Sequence, residues 1–128
     1  MSNELDYSLG KFRDAIRSLG EGIERAKDDL GKDGVIQRFE FTFELLWKTL
    51  RIFLEKEGIH CRSPKDCLKA AFKFGLVQDE KAFLDMLDDR NLTSHIYHKD
   101  QSQAVFGRIK TAHLAVFQQV LSKLDTKA

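Results

Sequence analysis

Near the start of the chain, Leu5, Leu9, Phe12, Ile16, Leu19, Ile23 and Leu30 recur mostly at three- and four-residue steps. This spacing draws one apolar stripe along a helix and predicts an amphipathic element of about 25 residues. Arg17 with Glu21, and Glu21 with Arg25, form i,i+4 charge pairs on its wet side. The stretch from Gly31 to Gly34 reads as the turn, with Asp33 as cap of the next helix.

The second predicted helix, about Val35 to Glu57, differs in kind. At about 100° per residue, Glu40, Glu44, Lys48, Arg51 and Glu55 fall in one narrow stripe. Nearly everything else is apolar: Phe39, Phe41, Phe43, Leu45, Leu46, Trp47, Leu50, Ile52, Phe53 and Leu54. One neighbour could not cover that surface, so the helix is expected to be central in a bundle and also to face a second copy of the chain. Trp47 belongs to that core or interface rather than to a ligand platform. The alternative is a monomer whose central helix is covered on all sides.

Gly58 ends this helix. Ser63 as cap, Pro64 at the first helical position and Asp66 open a third, which Gly75 stops. Its apolar side carries Cys67, Leu68, Ala71, Phe72 and Phe74. A fourth begins near Asp79, anchored by Phe83, Leu84, Met86 and Leu87, and runs into a polar stretch. A fifth spans about Gln101 to Leu124, with Val105, Phe106, Ile109, Ala112, Val116, Phe117, Val120 and Leu124 facing inward. Asp125 to Ala128 read as a loose tail. Joints of about two to seven residues force neighbours to run antiparallel. The expected architecture is an all-α, antiparallel, up-and-down four-helix bundle with one additional short helix, one domain over residues 1–128, homodimeric.

Composition narrows the function. Lys plus Arg number 21 and Asp plus Glu 20, a net charge of +1, so no global basic field draws in nucleic acid. RNA binding would need a local patch, and neither DNA nor a membrane is expected as a partner. No signal-peptide core opens the sequence and no apolar run reaches membrane-spanning length, which points to the cytoplasm. Cys61 and Cys67 have only His60 nearby and read as reduced thiols, not a zinc site. His60 and His113 read as surface and helix-face residues without a role.

The chemistry gathers in Arg90-Asn91-Leu92-Thr93-Ser94-His95-Ile96-Tyr97. A guanidinium binds phosphate through parallel N–H bonds and steadies transition-state charge. An imidazole moves a proton near neutral pH. On an ideal helix Arg90 and Tyr97 lie within about 20° of one line, with Ser94 between, but His95 falls about 140° from Arg90. Two solutions stay open. The helix breaks near Thr93-Ser94, whose hydroxyls compete for backbone hydrogen bonds, or a symmetry-related chain supplies the missing group. His98 and Lys99 extend the basic patch as candidate phosphate contacts. Asp88 and Asp89 are expected only to orient Arg90. No acidic metal-ligand cluster accompanies these residues, so metal-independent chemistry is expected, with no cofactor.

Arg90, four residues, His95, one residue, Tyr97 resembles the R-x4-H-x-Y signature of HEPN-domain proteins of the HepT type. Arg38 to Leu50, Ser63-Pro64 and Arg90 to His95 are similar to the nucleotidyltransferase substrate-binding protein family. The resemblance implies a helical homodimer partnered by a minimal nucleotidyltransferase of the MNT type. In HepT-like members the dimer cuts RNA, and the partner silences it by transferring AMP to the signature tyrosine. Carried over, Arg90 and His95 are catalytic, Asn91 and Ser94 are polar support in the cleft, and Tyr97 is the AMP acceptor. Many HepT toxins carry Asp after the Arg, whereas this chain has Asn91, a variant of the substrate-binding branch. The alternative expectation is therefore a non-catalytic subunit that presents substrate to its partner enzyme. A third reading is an oligomerisation protein in which Arg90 and His95 pair with carboxylates such as Asp88 or Asp100.

Overall fold

The computed structural model describes residues 3–127. All regular structure among them is helical: α1 (Asn3–Arg25), α2 (Asp29–Lys56), α3 (Pro64–Phe74), α4 (Glu80–Leu92) and a single 3-10 turn (Thr93–His95). Then α5 (Lys99–Arg108), a π-helical turn (Ile109–His113) and α6 (Leu114–Lys127) follow without a break. The all-helical, five-helix architecture is the predicted one, with α5, the π turn and α6 together forming the fifth helix. No described helix is long and apolar enough to cross a membrane.

The apolar stripe of α1 is buried from Leu5 to Ile23, but Leu30 is exposed. The reason lies in the turn, which the sequence reading placed too late. The chain turns at residues 26–28, and Asp28 rather than Asp33 caps α2, its carboxylate accepting from the Gly31 N–H at 2.8 Å. Gly31 and Gly34 are both helical. Gly31 serves proximity rather than backbone freedom: a Cβ there would lie 3.1 Å from the Ala26 Cα.

Helix α2 is central, packing against α1, α3, α4 and α5. Its buried face includes Phe39, Phe43, Leu46, Leu50, Phe53 and Leu54, and of its large apolar residues beyond the first turn only Phe41 stays exposed. Thr49 is also buried and shares a hydrogen bond with the Ser8 hydroxyl of α1 at 2.5 Å.

Helix α3 starts as expected, the Ser63 hydroxyl accepting from the Asp66 N–H and Pro64 standing in the first turn. Gly75 stops it with φ of 97°, a left-handed conformation that suits a residue without Cβ. Asp79 caps α4 by accepting from the Ala82 N–H. The two cysteines are not free thiols: Cys61 and Cys67 form a disulfide, their Cα atoms 5.1 Å apart across the α2–α3 joint. The spacing alone could not reveal how tightly this joint folds back on the start of α3.

Two readings of the last helix are also corrected. Ala112 is exposed and His113 is buried, because the wider π turn at Ile109–His113 changes which residue faces inward there, while Val116, Phe117, Val120 and Leu124 are buried as expected. The tail is helical to Lys127, and Asp125 accepts both of its bonds from the Arg13 guanidinium of α1, at 2.7 and 2.8 Å. Ala128 lies outside the described residues.

Candidate functional site

The last turn of α4 carries Arg90 and Asn91, and the helix then tightens. The Thr93 hydroxyl donates to the Arg90 carbonyl at 2.6 Å, and the Ser94 hydroxyl to the Asn91 carbonyl at 3.1 Å. These carbonyls belong to the turn that has no further helical donors, so the two hydroxyls satisfy them and the chain ends in a 3-10 turn. Of the two solutions left open by the sequence, the break at Thr93-Ser94 is present within one chain.

Arg90 is half-buried and points to α2, donating from Nη2 to Glu44 Oε1 at 3.2 Å. The other Glu44 oxygen accepts from the Trp47 indole at 3.1 Å. One turn earlier on α2, Glu40 Oε2 lies 3.0 Å from the Thr93 hydroxyl and shares its single proton with the Arg90 carbonyl. Two carboxylates of the charged α2 stripe therefore hold the end of α4. The sequence reading placed them in one narrow charged stripe and gave them no partner. The available signal was the setting: paired glutamates one turn apart on a mostly apolar helix call for polar partners.

Asp88 and Asp89 do not orient Arg90 directly. Asp89 is 6% exposed and faces the other way. It accepts from Arg108 Nε and Nη2, both at 2.8 Å, and lies 2.6 Å from His113 Nε2. Burial pushes its pKa up, but hydrogen bonds and charge from Arg108 and His113 outweigh that and leave it below the usual carboxylate value. The same bond to Asp89 raises the Arg108 pKa. His113, given no role from sequence, is 2% exposed and stacks on Phe39 with ring centres 5.3 Å apart.

His95 and Tyr97 are exposed, as are Asn91 and Ser94. His95 makes no hydrogen bond or ion pair among the described residues, neither to Asp88 nor to Asp100. A cleft of about 470 Å³ opens between the starts of α2 and α5, lined by Asp29, Lys32 and Ile36 on one side and Thr93, Tyr97 and His98 on the other. Lys99 also lines it but is paired with Asp29 at 2.8 Å. That contact lowers the Asp29 pKa and raises that of Lys99. The predicted residues thus divide. Tyr97, His98 and Lys99 share this cleft, while Arg90, Asn91, Ser94 and His95 lie outside it. No group of three or more His, Cys, Asp or Glu among the described residues is placed to hold a metal ion.

A family model described as nucleotidyltransferase substrate binding protein like matches residues 7–126. The chain belongs to this family. A Haemophilus influenzae protein named probable ribonuclease HepT is 36% identical over 81 residues, covering 59% of this chain and 56% of that relative. The match thus spans little more than half of the curated relative. A Thermus thermophilus crystal structure is 37% identical, with a TM-score of 0.82 over 88% of this chain and 98% of the other. A Haemophilus influenzae structure described as the fold of a substrate binding domain of a nucleotidyltransferase is 27% identical, with a TM-score of 0.69 over 96% and 98%. A Shewanella oneidensis HEPN toxin, tri-AMPylated and in complex with MNT antitoxin, shares the fold at a TM-score of 0.79 over 98% and 99%, with 15% identity. In this member of the family, then, a helix end braced by Glu40 and Glu44 presents a guanidinium, an exposed imidazole and an exposed phenol within one short stretch.

Proposed function

We propose that this single-domain chain is a cytoplasmic, homodimeric HepT-like HEPN protein: a metal-independent endoribonuclease held in check by an MNT-type nucleotidyltransferase. The observation that carries the reading is the 3-10 turn after Arg90, which leaves His95 and Tyr97 open while Glu44 occupies only one guanidinium nitrogen. The remaining N–H groups of Arg90 are free to meet a phosphate oxygen. Two chains supply two imidazoles. One His95 takes the proton of a ribose 2′-OH as its oxygen attacks phosphorus. The other gives a proton to the departing 5′ oxygen as the P–O bond breaks. Asn91 and Ser94 support the crevice formed where the two chains meet, and His98 and Lys99 contact flanking phosphate.

In this reading the partner transfers AMP from ATP to the Tyr97 phenol oxygen, which loses its proton as pyrophosphate leaves. Tyr97 is 77% exposed, so an active site of another protein reaches it. The added phosphate brings bulk and negative charge close to the residues that would hold RNA. The test is RNA cleavage by the purified chain in EDTA. Wild type is expected to cut and His95→Ala not to; equal activity of the two removes the reading. Mass spectrometry after co-expression with an MNT-type nucleotidyltransferase should find AMP on Tyr97.

A second reading is favoured by the Glu44 contact, which already neutralises Arg90, and by Asn91 in place of Asp. In that reading the chain is a non-catalytic subunit presenting substrate to a nucleotidyltransferase. It predicts no RNA cleavage and a stable complex with an MNT-type nucleotidyltransferase; failure to co-purify counts against it.

A further inference from the structure

Two costly features meet on one residue next to Arg90. The first is the π turn. Arg108 and His113 are five residues apart, which at about 100° per residue would set them about 140° apart on an α-helix. They could not then both reach one carboxylate. The wider i→i+5 turn at Ile109–His113 closes most of that gap, and such turns are rare and recur at functional sites. The second is burial of polar groups. Asp89 and His113 are both more than nine-tenths buried, and His113 Nδ1 has no hydrogen-bond partner among the described residues. A buried ion pair with an unfilled polar atom beside it is a poor stabiliser compared with apolar packing. What it supplies is placement, since each bond fixes direction as well as distance.

We infer that Asp89, Arg108 and His113 are positioning residues that fix the roll of the last turn of α4, and through it the place of Arg90. Asp89 and Arg90 are consecutive and therefore about 100° apart around the helix. Three bonds hold Asp89 to the π turn. With the roll set, Arg90 faces α2 and meets Glu44, and the 3-10 turn starts from a fixed point. Without the Asp89 bonds the turn is free to roll, and the guanidinium leaves the carboxylate that aims it. The inference uses the proposed role of Arg90 for its functional consequence, but its geometry is measurable without any activity.

Trp47 makes the measurement direct. It is the sole tryptophan of the sequence, and its indole donates to the same Glu44 carboxylate that receives Arg90. In a ¹H–¹⁵N spectrum of the full chain, its indole signal reports on that carboxylate. Arg90→Ala sets the displaced position. Asp89→Asn and Arg108→Lys are expected to move the signal the same way. Val120→Ala, a core variant far from the site in sequence, is expected to lower thermal stability and leave the indole signal in place. An indole signal unmoved in Asp89→Asn and Arg108→Lys overturns the inference. Should Asp89→Asn fail to fold, Arg108→Lys, which keeps the charge and loses the two-pronged fork, carries the same test. If the wild type cleaves RNA, Arg108→Lys should lower kcat by about 10- to 100-fold with KM within about twofold. A wild type that cleaves nothing removes the ribonuclease reading and leaves the indole test standing.

Discussion

Asp89 and Arg90 are neighbours in sequence with opposite charge, yet they do not pair. The carboxylate turns to Arg108 and His113, and the guanidinium turns to Glu44 on another helix. The end of α4 is thereby clamped from two sides by groups more than forty residues apart in the chain.

The Asp89 clamp carries a pH signature. Its pKa is lowered in the folded chain, so its contribution is fully present above the ordinary carboxylate range and is lost as pH falls through and below it. Asp89→Asn should cost about 1.5–3 kcal/mol at pH 7, the scale for hydrogen bonds to a charged group, since the Arg108 guanidinium left behind is about half exposed. Urea melts of wild type and variant should converge as pH drops toward 3; a gap that stays constant with pH would show that the charge is not the source.

Glu44 should matter little for stability and much for arrangement. The Arg90–Glu44 pair is about one-third exposed on each side, so Glu44→Ala should cost less than about 1 kcal/mol. The same change removes the acceptor of the Trp47 indole and should shift the tryptophan emission. An unchanged spectrum would argue against the contact.

Two nearby glycines should behave in opposite ways. Nothing lies within 4 Å of a Cβ built at Gly34, which sits inside a helix, so Gly34→Ala should stabilise by about 0.5–1 kcal/mol. At Gly31 the new methyl would press on the Ala26 backbone and the Asp28 carboxylate, so Gly31→Ala should destabilise. Paired thermal melts settle the sign of each.

The disulfide should be a stabilising staple. Cys61 and Cys67 close a small loop, and on chain-entropy grounds opening it should cost about 2 kcal/mol. Denaturant midpoints of Cys61→Ser and Cys67→Ser, against oxidised wild type, check this; identical midpoints would mean the link is not formed in solution.

What could be read from sequence follows from how local each signal is. The Ser63-Pro64-Asp66 start, the beginning of α4 near Asp79 and the Gly75 stop each act within one turn, and each was legible. The α1–α2 turn was not, because Gly31 and Gly34 look like a stop signal while the true stop lies at Ala26-Lys27 before the Asp28 cap. Ala112 and His113 exchanged places because a 100° wheel fails across a π turn. In the candidate site, the Arg90 to Tyr97 segment stood out by its chemistry, and its break at Thr93-Ser94 was one of two arrangements that the sequence left open. Glu40, Glu44, Arg108 and His113 were not, since each reaches it from a distant part of the chain.

The joint between the 3-10 turn and α5 has one further consequence. Its amides at Tyr97 and His98 both donate to a single oxygen, Gln101 Oε1, at 2.9 and 3.2 Å. The phenol therefore hangs from a short strap fastened at one buckle, while the rods on either side are secured elsewhere. In the proposed reading, a bulky attachment at that exposed ring would load the strap and not the rods, so the fold would be kept.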